Sequence, residues 1–329
     1  MRCTISFLGA TGILASPTLH TTNAATAFST TSKVLDRNLK SRNHKLKLRP
    51  KFMINTDTVD SAHLRFRPPP VLYSLPGSGN TWTRFLIDHM LDLPSGSYYN
   101  DIGLHRSFFP GEMTCQLNMS IIKAHPNNFP FDHVFFPNAS NFPKKCMEGG
   151  INYFDSTILL VREPLRSIWA EYQRVRMQNP HNYNSHTSQI PLSDFNRSHF
   201  EHFSLDYARR VVQKTFQITY AQVMENIPQE RRIVVHYEDL QNRTTQKKAL
   251  RTILKFLSDA HFSDNMLEKA FNASEKLHRS NRGITISSQD QATSFETAFT
   301  PAFSREVWAI LGDALDTFGY PNIHSRGVL

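Results

Sequence analysis

Long apolar runs are missing from this chain. The stretch from Ile5 to Ala15 is broken by Ser6, Gly9, Thr11 and Gly12. It falls far short of the ~20 apolar residues a membrane span requires. Cysteine is equally sparse: Cys3, Cys115 and Cys146 are all there is in 329 residues, so at most one bridge can form once Cys3 leaves with a leader peptide. No segment repeats and no heptad pattern is sustained, which excludes solenoids and coiled coils. Acidic residues are missing before Asp36. Charge is otherwise close to balanced outside one short stretch, so the formal +9 does not describe a nucleic-acid-binding surface.

That stretch carries Lys33, Arg37, Lys40, Arg42, Lys45, Lys47, Arg49 and Lys51 against Asp36 alone. It reads as a solvated stem, with peripheral contact to acidic glycans or lipid head groups as the alternative. Residues 1–32 combine Arg2, the broken apolar run and Ala24-Ala25-Thr26-Ala27, the pattern of a signal peptide cleaved near Ala25 or Ala27. This predicts the secretory pathway, with the Golgi lumen as destination; a plastid or mitochondrial transit peptide is the competing reading. Sequons begin at Asn118, Asn138, Asn196, Asn242 and Asn272 and lean the same way, towards a glycoprotein. Cys115 and Cys146 remain as an even pair, either oxidised in a lumen or buried as two thiols. The organisation is a targeting segment at 1–32, a basic linker at 33–67 and one large α/β domain at 68–325. The chain, about 40% apolar, is long enough for a substantial core.

The chemistry starts at Val71. Val71-Leu72-Tyr73-Ser74-Leu75 is a short apolar strand, Pro76-Gly77-Ser78-Gly79-Asn80-Thr81 follows, and a helical period begins at Trp82. A glycine loop feeding a helix start turns backbone N–H groups and a partial positive charge toward one point, which suits a phosphate. A Walker A loop would place lysine and Ser/Thr after the second glycine. Asn80-Thr81 stands there instead. The sequence Pro76-Gly77-Ser78-Gly79-Asn80-Thr81-Trp82 resembles the donor loop of sulfotransferases that use 3′-phosphoadenosine 5′-phosphosulfate (PAPS), in the branch of WSC-domain-containing sulfotransferases. The resemblance implies that the loop holds the phosphosulfate and that Trp82 lies against adenine; the alternative is a plain turn with Trp82 in the core. It also implies a P-loop-like three-layer sandwich with a central, mostly parallel sheet flanked by helices.

Further strand ends fit the same family. Ser120-Ile121-Ile122-Lys123-Ala124-His125-Pro126 is a strand stopped by proline, similar to the family's lysine–histidine motif. At the carboxyl end of a parallel sheet, His125 can take a proton from a hydroxyl and Lys123 can stabilise sulfuryl charge. Thr157–Val161 is the clearest buried strand and leads into Arg162-Glu163-Pro164 and a helix. Arg162 matches the arginine that the family sets on the 3′-phosphate. Ala170 occupies the usual serine position, so Ser167 is carried as the hydroxyl partner. The alternative for Arg162 is a salt bridge to Glu163 or Glu171. Arg232 to Leu240 reads as another buried strand ending in Tyr-Glu-Asp-Leu, with Tyr237 either approaching the nucleotide or in the core. Arg282 and Gly283 end the basic turn His278–Gly283, which is comparable to the family's last donor loop, the one that closes over the 3′-phosphate, in a different order.

The expected reaction is in-line transfer of the sulfuryl group from PAPS to an acceptor hydroxyl, on a carbohydrate or a small alcohol, with His125 as base and no metal. One departure stands out: Gly77 occupies the position where the commoner loop has a lysine. The competing readings are a non-catalytic nucleotide- or glycan-binding descendant and a P-loop kinase. The aromatics Tyr98, Tyr99, Phe108 and Phe109 are expected to pin their loop rather than line an acceptor cleft, and 126–150 reads as a variable insertion near the substrate mouth.

Overall fold

The computed structural model describes residues 64–66, 68–107, 109–126, 142–177, 189–258, 264–281 and 293–320. The expected targeting segment, nearly all of the basic linker, most of the 126–150 insertion, Asn138, Arg282 and Gly283 lie outside them.

In chain order the elements are β1 (Val71–Ser74), α1 (Asn80–Leu91), β2 (Gly96–Ser97), α2 (Ile102–Ser107), β3 (Ile122–Ala124), α3 (Lys144–Glu148), β4 (Thr157–Val161) and α4 (Pro164–Met177). Then come α5 (Arg197–Tyr207), a π-helical stretch (Ala208–Gln217), α6 (Ile218–Asn226), β5 (Arg232–His236), α7 (Tyr237–Gln241) and α8 (Arg243–Leu257). The last are α9 (Asp264–Asn281), α10 (Phe295–Ala298), α11 (Pro301–Leu311) and α12 (Asp313–Thr317). The strands pair in the order β2-β3-β1-β4-β5, and every pairing is parallel. The expected α/β sandwich is therefore present, with a wholly parallel sheet among the described residues.

Alternation along the buried strands separates two apolar layers. Val71, Tyr73, Ile122, Ala124, Leu159 and Val161 face Leu165, Ile168, Tyr172, Phe200, Val212 and Val307. Leu72, Ile158, Leu160 and Val235 face Leu86, Ile87, Met90, Leu250, Ile253, Leu254 and Leu267 on α1, α8 and α9. Period-2 strands and period-3.6 helices thus meet on both faces of one sheet. β1 has β3 on one side and β4 on the other, so the chain reverses direction around it. Ligand crevices in open α/β sheets form beyond the carboxyl ends of the strands at such a point.

One sequence expectation needs correction. Arg232–Leu240 is not one buried strand: β5 ends at His236, Tyr237–Gln241 is a helical turn, and an edge position leaves most of β5 only half-buried. The final helix breaks at Gly312, whose φ of 39° no helix accommodates, and restarts at Asp313. The folded domain also reaches back into the stem. Leu64 bridges Ser258, the Arg65 N–H donates to the Leu257 carbonyl at 3.0 Å, and Phe66 packs on Phe256 at 4.8 Å between centroids.

Cys115 and Cys146 form a disulfide that ties the approach to β3 to α3 across 31 residues. Closing a loop of that length stabilises the fold by about 3–4 kcal/mol in the chain-entropy account. The double variant Cys115→Ser/Cys146→Ser is expected to lose about that much in urea unfolding. An unchanged midpoint, together with two titratable thiols in the native chain, would contradict the bridge.

Candidate functional site

The loop after β1 turns on two glycines with positive φ, Gly77 at 80° and Gly79 at 85°. Conformation alone favours glycine at both, and close approach demands it. A Cβ on Gly77 would lie 2.2 Å from the Ser167 carbonyl oxygen, and one on Gly79 would lie 2.1 Å from the Tyr237 ring. The Ser78 N–H closes the turn on the Leu75 carbonyl at 3.1 Å. Gly79 caps α1 without a side chain, and no acid stands in the first turn of the helix. The first bond of α1 runs from the Thr83 N–H to the Gly79 carbonyl at 2.9 Å, so the N–H groups ahead of it have no carbonyl within the helix and, with the helix dipole, suit an anion.

Other strand ends hold this loop. Arg162, just past β4, donates from Nη1 to the Gly77 carbonyl at 2.7 Å and lies over the Tyr237 ring at 4.5 Å; its buried Nε has no hydrogen-bond partner among the described residues. The expected alternative of a carboxylate pair does not occur here, because Glu171 is held by Arg174 at 2.5 Å and the Glu163 carboxylate accepts the Leu165 and Arg166 N–H groups as the cap of α4. Ser167 meets Ser78 hydroxyl to hydroxyl at 3.1 Å, both fully buried. Tyr207, on α5, donates to the Pro76 carbonyl at 2.9 Å. Asn80 donates from Nδ2 to Ser74 Oγ at 3.1 Å, and its buried Oδ1 has no partner among the described residues. Thr81 and Trp82 are half-buried, Trp82 stacking on Phe85 at 5.8 Å beside the α1 layer.

His125 joins the same cluster. Its Nδ1 lies 2.8 Å from the carbonyl of Ser74, the residue that ends β1 and precedes the loop. A carbonyl only accepts, so Nδ1 carries the proton and the neutral ring keeps its basic lone pair on Nε2. Tyr99 OH donates to the His125 carbonyl at 3.0 Å and accepts from its N–H at 2.8 Å.

Lys123 has a different setting from the one expected. It is 5% exposed and donates to Glu112 at 3.1 Å, and Glu112 is shared with fully buried Arg84. Burial lowers the Lys123 pKa, opposed by Glu112. Burial would raise Glu112, but Arg84 and Lys123 outweigh it and hold the carboxylate low. Lys123 is thus engaged inside a three-charge cluster that joins α1, β3 and the turn after α2. Sequence reasoning missed Arg84, Glu112, Tyr207 and the reach of Tyr99. Their partners are distant in the chain, and no local pattern marks them. Tyr98 and Phe109 are buried, as pinning residues should be.

No protein-family model matches the chain. A protein of Drosophila pseudoobscura pseudoobscura is 28% identical over 255 residues, 77% of this chain and 69% of that protein. One of Aedes aegypti is 26% identical over 271 residues, 79% and 72% of the respective lengths. Both bear the same family name. Its relatives are WSCD family members. These WSCD names bear out the resemblance to the WSC-domain branch drawn from Pro76–Trp82, and say nothing of catalysis. Among solved structures, mouse sulfotransferase SULT7A1 complexed with PAP (adenosine 3′,5′-bisphosphate) aligns with a TM-score of 0.46 at 15% identity, covering 81% of this chain and 91% of its own. Retinol dehydratase in complex with androsterone and inactive cofactor PAP aligns at 0.41 and 13%, covering 75% and 80%. The fold of the chain stands on its own strand order.

Gly77→Lys, which restores the commoner loop residue, is expected to lower the thermal midpoint by several degrees, because the Cβ must displace the α4 backbone. A variant as stable as the parent would remove the steric explanation for the missing lysine.

Proposed function

We propose that the chain is a PAPS-dependent sulfotransferase that acts on a hydroxyl acceptor, a glycan for preference. The observation that carries this reading is the bond from His125 Nδ1 to the Ser74 carbonyl, which fixes a base beside an uncapped, glycine-built helix start. The residues present fit the nucleotide. Helix-start amides and the Ser78/Ser167 hydroxyls suit a phosphosulfate, Arg162 has an unused buried Nε for a second phosphate, and Trp82 offers a ring face for adenine.

PAPS supplies an activated sulfuryl group whose bridging oxygen leaves with the electron pair. His125 Nε2 takes the acceptor proton as the new O–S bond forms and the old S–O bond breaks. The α1 amides and Arg162 bear the charge that spreads over the sulfuryl oxygens. No metal is needed in this scheme, since backbone and guanidinium donors do what Mg²⁺ does in kinases. The disulfide and the exposed sequon residues Asn118, Asn196 and Asn242 support assignment to the secretory pathway, where glycan acceptors are found. The basic stem would supply any peripheral contact with acidic glycans or membrane. A second reading, a nucleotide-binding descendant without transfer, is favoured by the pairing of Lys123 with Glu112.

The deciding assay offers labelled PAPS with a panel of mono- and oligosaccharides. Transfer is expected, falling by about 10²- to 10⁴-fold in His125→Ala while PAP still binds. Equal transfer by the two chains would remove His125 as base, and PAP binding with no transfer by either would select the second reading.

A further inference from the structure

The β2–β3 ladder stops one rung short of the site. Ser97 pairs with Lys123, the Tyr98 N–H donates to the Lys123 carbonyl at 2.9 Å, and Pro126 then bars extension of β3. The N–H and carbonyl of His125 would be left without a rung. A side chain supplies it: the single hydroxyl of Tyr99 accepts from the His125 N–H at 2.8 Å and donates to the His125 carbonyl at 3.0 Å. The Tyr99 ring also stacks on the imidazole, with centroids 5.6 Å apart and planes 26° apart. Burial raises the pKa of this phenol, so it stays protonated and can keep donating.

Tyr99 is itself gripped from the other side. Lys145 donates to the Tyr99 carbonyl and, at 2.8 Å, to Asn100 Oδ1. Lys145 precedes Cys146, whose disulfide fastens α3 to Cys115. A continuous set of contacts therefore runs from the disulfide through Lys145 and Tyr99 to the histidine.

We propose that Tyr99 is a positioning residue for His125, and that Lys145, anchored by the Cys115–Cys146 bridge, holds Tyr99 in the geometry that directs the imidazole toward the loop. The inference rests on His125 acting as the base. Without the hydroxyl the ring keeps its stacking partner but loses its backbone register, and misplacement of a catalytic group by about 1 Å costs on the order of 10²-fold in rate.

The test uses the full chain with Tyr99→Phe, Lys145→Met and Lys145→Arg. Transfer from PAPS to the best acceptor of the panel gives kcat and KM, and imidazole ¹⁵N shifts report the His125 tautomer without any turnover. Tyr99→Phe is expected to lower kcat by about 10- to 100-fold with the KM for PAPS within about twofold, and to replace the Nδ1–H signature by an averaged one. Lys145→Met should move both readouts the same way by less, and Lys145→Arg should restore them. If Tyr99→Phe fails to fold, the two Lys145 variants carry the test. A normal kcat and an unchanged tautomer in Tyr99→Phe, beside an inactive His125→Ala, would overturn the positioning role and leave the base in place. If the parent chain transfers no sulfate, the ¹⁵N signature still decides whether Tyr99 sets the ring.

Discussion

The site depends on how closely α4 presses on the loop after β1. Gly77 touches the Ser167 carbonyl where any side chain would collide, Arg162 binds the Gly77 carbonyl, and the Ser78 and Ser167 hydroxyls meet. These contacts order a loop that would otherwise cost conformational entropy to fix on binding. They also account for the most conspicuous departure from the commoner sulfotransferase loop. With the α4 backbone at that distance there is no room for a lysine stem.

A second constraint lies on the far side of β1. Arg84, Glu112 and Lys123 form a dry ion cluster in which one carboxylate serves two cations. Removing a single member would strand a buried charge, at a cost of about 3–5 kcal/mol. Ser95 and Asp88 extend the network, and burial pushes the Asp88 carboxyl up to about 7 against the pull of Arg84. The cluster sets how α1, β2 and β3 sit together, and hence where His125 emerges.

Much of this was legible in the sequence. β1, β4, α1 and the glycine loop follow from apolar runs and turn residues, and the structure brings Ser167 and Arg162, singled out as phosphate partners, into contact with the loop. Tyr237 proves to be both ring support for Arg162 and a wall against Gly79. What local pattern could not carry was partnership. Nothing near Lys123 announces Glu112, and nothing near Tyr99 announces a hydroxyl that completes a ladder 26 residues away. The extent of β5 was misjudged because an apolar run does not reveal that its strand lies at the sheet edge, where it can end early in a helical turn.

The central claim is that loop, histidine and arginine surround one nucleotide bearing two phosphates. Calorimetric titration of the full chain with adenosine 3′,5′-bisphosphate and, separately, with adenosine 5′-phosphate tests it most directly. The account predicts one site per chain and at least about tenfold weaker binding of the monophosphate, since Arg162 loses its partner. Equal affinity for the two, or no heat from either, would contradict it.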